Sequence, residues 1–277
     1  MNQVFEKYKN VHEGKRAFLI ANGPSLNQTN LDLIENEISF AMNRISLKYD
    51  QTSWRPTYYL FSSTNVTPSK PWSQEWQSSV RQAIAENRTT SFVAERFRRY
   101  IDPLSECSRV EWFDSMSERK PDKFGNIHPS CFSTNVVERI DKTGTTMNLA
   151  LQLCFHMGIS EIVFVGADLG WTRDEGTNND PNHFSKNYVA EITKPEKANN
   201  QMRNVHSLSG LHFKMHKPDT KIYNASKRTV LDVYPIIDFE RYVECGEIVL
   251  LDGKRDNAKK FWESPPQYGY FDEFSKR

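Results

Sequence analysis

Short apolar runs alternate along the chain with stretches of helical period. The runs of strand length lie at 16–21, 38–42, 57–62, 90–93, 110–113, 161–166 and 221–224. The segment 145–157 carries apolar residues three and four positions apart, which is the spacing of one face of a helix. Strands that alternate with helices favour a parallel sheet. The pattern therefore predicts an α/β fold, a Rossmann-like three-layer domain with a mostly parallel sheet.

The polar segment 172–204 lacks periodic apolar positions, so we expect a long loop there and a helix at about 202–215. Residues 1–243 are predicted to form the nucleotide-binding and catalytic domain, with a lid at about 168–204. The appendage 244–277 is rich in aromatic side chains, which seldom stay free in water. Packing on its own domain is one interpretation, and a homo-oligomer contact or peripheral attachment to the inner membrane is the other.

Composition narrows the classes of function. The 277 residues include 36 Lys and Arg against 35 Asp and Glu, a net charge of +1 that excludes the broad basic field of a general nucleic-acid binder. The apolar runs are shorter than the roughly 20 residues of a membrane span, and the charged start does not have the pattern of a secretory signal. We therefore predict a cytoplasmic protein. Its four cysteines are expected to be reduced because they are far apart: Cys107, Cys131, Cys154 and Cys245.

The first strand ends in the turn Asn22-Gly23-Pro24-Ser25. In open α/β sheets, ligands bind beyond the carboxyl ends of the strands. Gly23 would let the backbone approach a ligand, Ser25 would cap the next helix, and Asn22 would point into the crevice. All four residues are predicted nucleotide contacts, although an ordinary turn explains the same sequence equally well.

Two further motifs follow the same rule. Asn43 and Arg44 end the second strand and offer an amide and a guanidinium to a base or phosphate. At the start of the helix 145–157, exposed backbone amides and hydroxyls would form a phosphate cradle, with a plain helix cap as the alternative. The residues predicted there are Thr143, Gly144 and Thr145, and Asp168, after the strand 161–166, would shape the pocket.

The histidines supply candidate acid–base chemistry. His183 lies in the polar segment, and His206 follows it on the predicted helix. No H-E-x-x-H pair is present, so we predict no metal site. A lone histidine is structural more often than catalytic, but an imidazole at the mouth of a crevice is suited to act as a general base near neutral pH.

Together these motifs resemble a known family. The segments 18–45, 143–171, 180–184 and 221–240 are similar to the family named for 6-hydroxymethylpterin diphosphokinase, which is also the core of motility accessory factors. The resemblance covers about residues 15–243. The fold and the N-G-P-S turn also resemble bacterial lipo-oligosaccharide sialyltransferases, which use CMP-activated nonulosonic acids.

Position by position, the resemblance implies roles for single residues. The sialyltransferases have nucleotide-contacting asparagines at the positions of Asn22 and Asn43, and their Thr-Ser-Gly resembles Lys142-Thr143-Gly144. Their catalytic histidine, in a His-Ser-Lys-Asn context, would correspond to His206. The nearest matches to a third asparagine are Ser63 and Asn65. A tyrosine of that family falls at Gly170 here, so leaving-group or substrate contacts would come from Tyr188, His183 or Arg203.

Three functions remain open. The first is transfer of a sugar from a CMP-activated donor to a glycan acceptor in surface-polysaccharide biosynthesis, with no cofactor. The second is pterin diphosphokinase chemistry, which would need ATP and magnesium held by Asp168, Asp174 and Asp180. The third is a non-catalytic module that binds a nucleotide sugar.

Overall fold

The computed structural model describes residues 1–101, 109–116, 132–141, 145–170, 181–188, 195–227 and 229–251. The strands within this part of the chain are β1 Arg16–Ile20, β2 Ile38–Met42, β3 Tyr58–Phe61, β4 Thr90–Ala94, β5 Val110–Phe113, β6 Ser115–Met116, β7 Ile140–Asp141, β8 Glu161–Val165 and β9 Lys221–Asn224. The strands of the central sheet are almost continuously buried, as expected for a parallel sheet that is covered on both faces.

Seven strands form one parallel sheet in the order β5-β4-β3-β2-β1-β8-β9. The chain extends outward from β1 through β5 and then returns to the other side of β1 with β8. Ile20 of β1 therefore lies between Ala41 of β2 and Val165 of β8. The strand order reverses between β1 and β8, and such a switch point is where open α/β sheets form a ligand crevice.

Helices flank this sheet. The α-helices of the described residues are α1 Ser73–Glu86, α2 Arg98–Ile101, α3 Thr146–His156, α4 Pro195–His216 and α5 Phe239–Cys245. Short 3-10 helices lie before and between these elements, at Gln3–Tyr8, Pro24–Gln28, Leu31–Ile34, Ile45–Gln51, Thr64–Val66 and Glu95–Phe97. Helix α3 packs against β1, β2 and β3 and against α4, which explains why nearly all its side chains are buried. The predicted Rossmann-like three-layer fold is confirmed.

A small parallel pair, β6 and β7, lies beside the main sheet, and the start of the chain fixes its position. The Asn2 side chain donates to Asp114 O at 3.0 Å and accepts from Asp114 N at 2.8 Å, while Asn2 N donates to Val137 O. The first residues therefore form part of the domain.

Sequence patterns located the sheet but not every helix. All seven predicted strands and the helix 145–157 are confirmed to within one residue at either end. The predicted loop 172–204 is wrong at its end, because α4 begins at Pro195. Proline suits the first turn of a helix, where its missing N–H has no partner to lose. Helix α1 was not predicted, although Trp76, Val80 and Ala83 have helical spacing.

The described end of the chain folds back on the domain. Asp238 N donates to Val249 O and Leu251 N donates to Ile236 O, both at 2.9 Å. The predicted domain boundary at residue 243 falls inside α5. Residues 252–277 lie outside the described part, so the contacts predicted for the aromatic appendage stay a prediction.

Two of the four cysteines, Cys154 and Cys245, lie in the described part of the chain. Cys154 is buried and Cys245 is exposed, and both are free thiols. Burial raises the pKa of Cys154, so this thiol stays protonated. Cys107 and Cys131 lie outside the described residues. Among the helices that the structure describes, none has both the length and the hydropathy needed to cross a membrane.

Candidate functional site

A cavity of about 630 Å³ opens at the carboxyl edge of the sheet. The residues that line it come from the loops after β1, β2, β3 and β8, from the start of α3, and from the segment 181–188. Its volume lies within the range of roughly 300 to 1,000 Å³ that is typical of small-molecule sites. The crevice predicted at the switch point is therefore present.

The turn after β1 is closed against the end of β8. Gly23 N donates to Gly166 O at 2.8 Å, and Ser25 N donates to the Asp168 carboxylate at 2.7 Å. A Cβ atom at Gly23 would meet Asp168 Oδ2 at 2.3 Å, so this close approach requires glycine. Gly23 and Pro24 line the cavity.

Ser25 does not have its predicted role as a helix cap. It lies inside the 3-10 helix Pro24–Gln28, where the N-cap residue is Gly23, and the Asp168 carboxylate holds its backbone amide. Ser25 is buried and is not among the described residues that line the cavity. The predicted helix cap by Ser25 is therefore wrong, and its predicted nucleotide contact stays a prediction.

Two buried side-chain oxygen atoms of the cavity lining at the β1/β8 end lack a hydrogen-bond partner among the described residues. One is Asn22 Oδ1. The amide nitrogen of the same side chain donates to Met42 O at 3.1 Å. The other is Asp168 Oδ1. Both side chains are more than nine-tenths buried, and both residues line the cavity. Because these oxygens are acceptors and one is anionic, this end of the cavity favours hydroxyl or amine donors over phosphate.

Asn43 connects the end of β2 to the start of α3. Its backbone is left-handed, with a φ of 55°, a conformation that asparagine tolerates better than most residues. Its carbonyl oxygen accepts from the Tyr59 hydroxyl at 2.6 Å, and its Oδ1 accepts from Thr146 Oγ1 at 3.3 Å. Burial raises the pKa of Tyr59, so the phenol remains a donor. The Asn43 residue lines the cavity as predicted.

The loop after β3 contributes Ser63, a predicted match to a third nucleotide asparagine, and two residues that the sequence analysis did not name, Ser62 and Thr64. Ser62, Ser63 and Thr64 line the cavity with hydroxyl groups. These residues lie at or after the end of the strand predicted at 57–62. The rule that ligands bind beyond the carboxyl ends of parallel strands therefore points to them as well. Of the two nearest matches to a third nucleotide asparagine, Ser63 lines the cavity, whereas Asn65 is not among the described lining residues.

The start of α3 brings positive electrostatic potential to the cavity. Thr145 is the N-cap residue, and its Oγ1 accepts from Asn148 N at 3.2 Å. Thr145, Thr146 and Met147 all line the cavity. The first amides of a helix attract anions because they lack intrahelical partners and carry the positive end of the helix dipole. Two predicted contacts of this cradle, Thr143 and Gly144, lie outside the described residues.

His206 does not have the geometry of a general base. Its side chain is completely buried, and among the described residues the cavity lining does not include it. Its Nε2 lies 3.1 Å from Thr145 Oγ1, so Thr145 separates the ring from the cavity. Burial lowers the pKa of His206 to about 3. The prediction that this imidazole faces the crevice is wrong, because α4 packs it against the protein interior.

The Arg44 side chain is hydrogen-bonded to other groups of the protein. Its guanidinium donates to Ser79 Oγ at 3.0 Å, to Asn187 O at 2.7 Å and to the carbonyl oxygen of Tyr188. Burial lowers its pKa, and Arg44 is not among the described lining residues. Arg44 is thus not brought to the described cavity lining, and its predicted ligand contact stays a prediction. The residue instead holds the segment 181–188 in place.

The segment 181–188, called the wall segment below, closes one side of the cavity. Phe184 N donates to Asn22 O at 2.9 Å, and Asn27 Nδ2 donates to Phe184 O at 2.7 Å. With the contacts of Arg44, these bonds attach the wall segment to the loops after β1 and β2 mainly through its backbone. The residues of the wall segment that line the cavity are Pro181, Asn182, His183 and Tyr188.

His183 and Tyr188 of the wall segment line the cavity and stack on each other. Their ring centroids are 3.7 Å apart and the ring planes differ by 5°. His183 is the imidazole that the described lining contains. Arg203, the third predicted leaving-group contact, forms an ion pair with Asp232 at 2.7 Å and is not among the described lining residues, so its contact stays a prediction.

The acidic residues give little support to a metal site. Asp168 lines the cavity, but one of its oxygens already accepts from Ser25 N. Within the described residues, no group of three His, Cys, Asp or Glu side chains could hold a metal ion. Asp174 and Asp180, the other magnesium ligands considered, lie outside the described residues.

Two solved structures are similar to this chain. The MAf glycosyltransferase from Magnetospirillum magneticum AMB-1 is 13% identical over 92% of this chain and 40% of that chain, with a TM-score of 0.48. The sialyltransferase CstII from Campylobacter jejuni, in complex with the substrate analogue cytidine-5′-monophosphate, is 12% identical over 91% of this chain and 98% of that chain, with a TM-score of 0.45. The chain thus spans 40% of the length of the first protein. No family model and no curated protein matches the sequence.

Proposed function

We propose that this chain is a glycosyltransferase-like enzyme that transfers a sugar, of the nonulosonic acid class, from a CMP-activated donor to a glycan acceptor. The observation that carries the proposal is the polarity of the cavity at the switch point. One end offers the helix start at Thr145, and the other offers the unpartnered oxygens of Asn22 and Asp168. A nucleotide sugar has the matching chemistry, because it carries phosphate and hydroxyl groups in one molecule.

This polarity sets the orientation of the donor. The phosphate would lie at the start of α3, where the helix dipole and the Thr145 hydroxyl favour an anion. Hydroxyl groups of the ribose or the transferred sugar would donate to Asn22 and Asp168. Ser63, after β3, would contact the base or ribose from the remaining side. Because the helix start supplies the positive potential, the proposed reaction needs no metal ion.

His183 would act as the general base in the proposed reaction. It would remove the proton from the acceptor hydroxyl while the bond between the sugar and the phosphate breaks, and the phosphate would leave on the nucleotide. Its position in the cavity lining supports this role. So does the sequence His183-Phe184-Ser185-Lys186-Asn187, which resembles the His-Ser-Lys-Asn context of the sialyltransferases with one residue inserted. That likeness is fuller than the one at His206, where only the serine matches.

Ligand binding tests the first half of the proposal. Thermal shift and calorimetry with CMP, UMP, GMP and ATP, each with and without magnesium, should show binding of CMP without magnesium. Asn43→Ala should weaken CMP binding about tenfold, as expected for the loss of a hydrogen-bonding group in the site. The matched control is Asn36→Ala, at an exposed turn before β2 on the opposite edge of the sheet, which should bind as the wild type does.

The other outcomes of the panel separate the alternatives. Stabilisation by ATP with magnesium and by no cytidine nucleotide would contradict the proposal and favour diphosphokinase chemistry. CMP binding without turnover, when a panel of CMP sugars and glycan acceptors is supplied, would favour a non-catalytic binding module. Sugar transfer from a CMP sugar would support the enzyme.

A further inference from the structure

His206 is completely buried, yet it contacts a residue of the cavity lining. We propose that His206 is a positioning residue: its Nε2–H donates to Thr145 Oγ1 and turns the Thr145 hydroxyl proton into the cavity, where it donates to an anionic oxygen of the ligand. This inference extends the proposed function, because it takes that anionic oxygen to be a phosphate oxygen of the nucleotide.

The backbone and the ring of His206 each have a packing partner. The Tyr234 hydroxyl donates to His206 O at 2.6 Å. Gly210 makes room for this tyrosine, since a Cβ atom there would meet the Tyr234 hydroxyl at 2.2 Å. The imidazole packs edge-on against Phe164 of β8, with centroids 6.2 Å apart. The ring therefore lies in the interior beside β8, behind Thr145.

The ring is also neutral at any pH at which the protein would work. Burial lowers the pKa of His206 to about 3, and the neighbours described above, Thr145, Phe164 and Tyr234, carry no charge in this pH range. A neutral imidazole carries one proton, on either Nδ1 or Nε2. The tautomer therefore decides which partner in the contact with Thr145 is the donor.

The hydrogen-bond partners of the two ring nitrogens favour a proton on Nε2. His206 Nδ1 is buried and has no hydrogen-bond partner among the described residues. A proton on Nδ1 would be a buried N–H without an acceptor, whereas a bare Nδ1 is only an unused lone pair. Orphaned buried N–H groups are rarer in proteins than under-used acceptors. Nε2 is then the donor to Thr145 Oγ1.

The Thr145 hydroxyl has one direction left for its own proton. Its oxygen accepts from Asn148 N on one side and from His206 Nε2 on the other. Both lone pairs are then occupied, and the hydroxyl proton points away from the protein interior toward the cavity that Thr145 lines. The neighbouring hydroxyl differs, because Thr146 Oγ1 already donates to Asn43 Oδ1. Thr145 is thus a preoriented donor at the positive end of α3.

The tautomer can be measured on the wild-type protein without any ligand. In protein labelled with 15N-histidine, long-range 1H–15N correlation spectra should show His206 protonated on Nε2 and bare on Nδ1 from pH 5.5 to 8. Protonation on Nδ1 would overturn the proposal, because Thr145 would then donate to the ring and not to the ligand. The single variant His206→Gln serves to assign the resonance.

Binding of CMP tests whether the hydroxyl matters. His206→Phe and Thr145→Val should each weaken CMP binding about tenfold, the loss of one oriented hydrogen bond to a charged group. His206→Gln, which keeps a side-chain N–H donor, should restore affinity to within about threefold of the wild type, and Thr145→Ser should do the same. Thr52→Val, which removes a hydroxyl that donates to Asp32 outside the described cavity lining, is the control and should bind CMP as the wild type does.

A double-variant cycle separates positioning from general damage. His206→Phe combined with Thr145→Val should bind CMP no more weakly than Thr145→Val alone, because His206 acts through Thr145. Multiplicative losses would overturn the proposal. If the phenylalanine variant does not fold, the tautomer measured by NMR and the CMP affinity of His206→Gln still test the proposal. If no nucleotide binds the wild type, the proposed function fails, while the tautomer still decides the direction of the Thr145 hydroxyl.

Discussion

Two histidines lie beside the same cavity and have opposite surroundings. His183 belongs to the wall segment, lines the cavity and stacks on Tyr188. His206 belongs to α4, is completely buried and reaches the cavity only through Thr145. An imidazole can exchange protons with a substrate only where both can meet, so the first suits acid–base chemistry and the second suits the orientation of a neighbour.

The supports of the two residues differ as well. The wall segment is attached through backbone groups to Arg44, Asn27 and Asn22, and its residues His183 and Tyr188 line the cavity. The helix that carries His206 is packed between β8 and the Tyr234 loop. The lesson is that the place of a histidine in the fold, and not its residue type or its sequence neighbours alone, decides what it can do.

The largest predicted effect separates the two histidines by rate. His183→Gln should lower the rate of sugar transfer about 10²- to 10⁴-fold, the usual contribution of one general base, while CMP binding changes little. His206→Gln should retain most of the activity and the same pH–rate profile. The measurement is steady-state transfer from a CMP sugar over pH 5 to 9, with calorimetry for binding.

The reverse result would return the catalytic role to His206. If His206→Gln lost the acidic limb of the pH–rate profile while His183→Gln kept the wild-type rate, the burial seen here would have to open during the reaction. Equal, small effects of both variants would remove imidazole catalysis from the mechanism.

The second prediction concerns the support of the wall segment. Arg44→Met should lower the free energy of unfolding by about 2 to 4 kcal/mol, because it leaves the partly buried carbonyl oxygen of Asn187 and the buried one of Tyr188 without their donor. Urea unfolding measures this loss. Arg98→Met, which removes an exposed ion pair with Glu95, is the control and should cost less than about 1 kcal/mol. A loss no greater than that of the control would show that the wall segment does not depend on Arg44.

The sequence was sufficient for the sheet and for the position of the cavity. Strand periodicity and length located all seven strands of the sheet, and the rule that ligands bind at the carboxyl ends placed Asn22, Asn43, Thr145 and Asp168 around one cavity. These predictions succeed because burial of a strand and the end of a strand are both local properties. A residue that directly follows a parallel strand lies at the carboxyl edge of the sheet.

Side-chain direction could not be predicted in the same way. Arg44 follows a strand just as Asn43 does, but its long side chain reaches carbonyl groups of the wall segment, more than a hundred residues away in sequence. His206 has a polar neighbour in Ser207, yet the packing of α4 on β8 buries its ring. Both outcomes depend on contacts between distant segments, which periodicity and motif spacing do not encode.

The third prediction uses the burial of His206. Its pKa is about 3 in the folded protein, below the ordinary value of 6.5, so the unfolded chain takes up a proton first as the pH falls. The stability that neutral His206 provides is therefore full above pH 6.5 and is lost as the pH falls toward 3. Between pH 6.5 and 4.5 this loss should be about 2 kcal/mol.

A comparison of variants isolates that loss from those of the other histidines. His206→Gln should show a free energy of unfolding that falls about 2 kcal/mol less than that of the wild type between pH 6.5 and 4.5, measured by urea titration at both values. Asn36→Ala, at an exposed position and without removal of a titratable group, is the control and should follow the wild type. If His206→Gln kept the full slope, the ring would have to be accessible to protons in the folded state.

The smallest predicted effect concerns a single bond of the wall segment. Asn27 is exposed, and its side chain donates to Phe184 O at 2.7 Å and accepts from Lys48 Nζ at 3.2 Å. Asn27→Ala should cost about 1 kcal/mol locally, which corresponds to roughly fivefold faster hydrogen exchange at the Phe184 amide, with little change in global stability. Faster exchange that spread equally into β1 and β8 would mean that the wall segment and the sheet open together, and the distinction between a supported wall and a packed core would no longer hold.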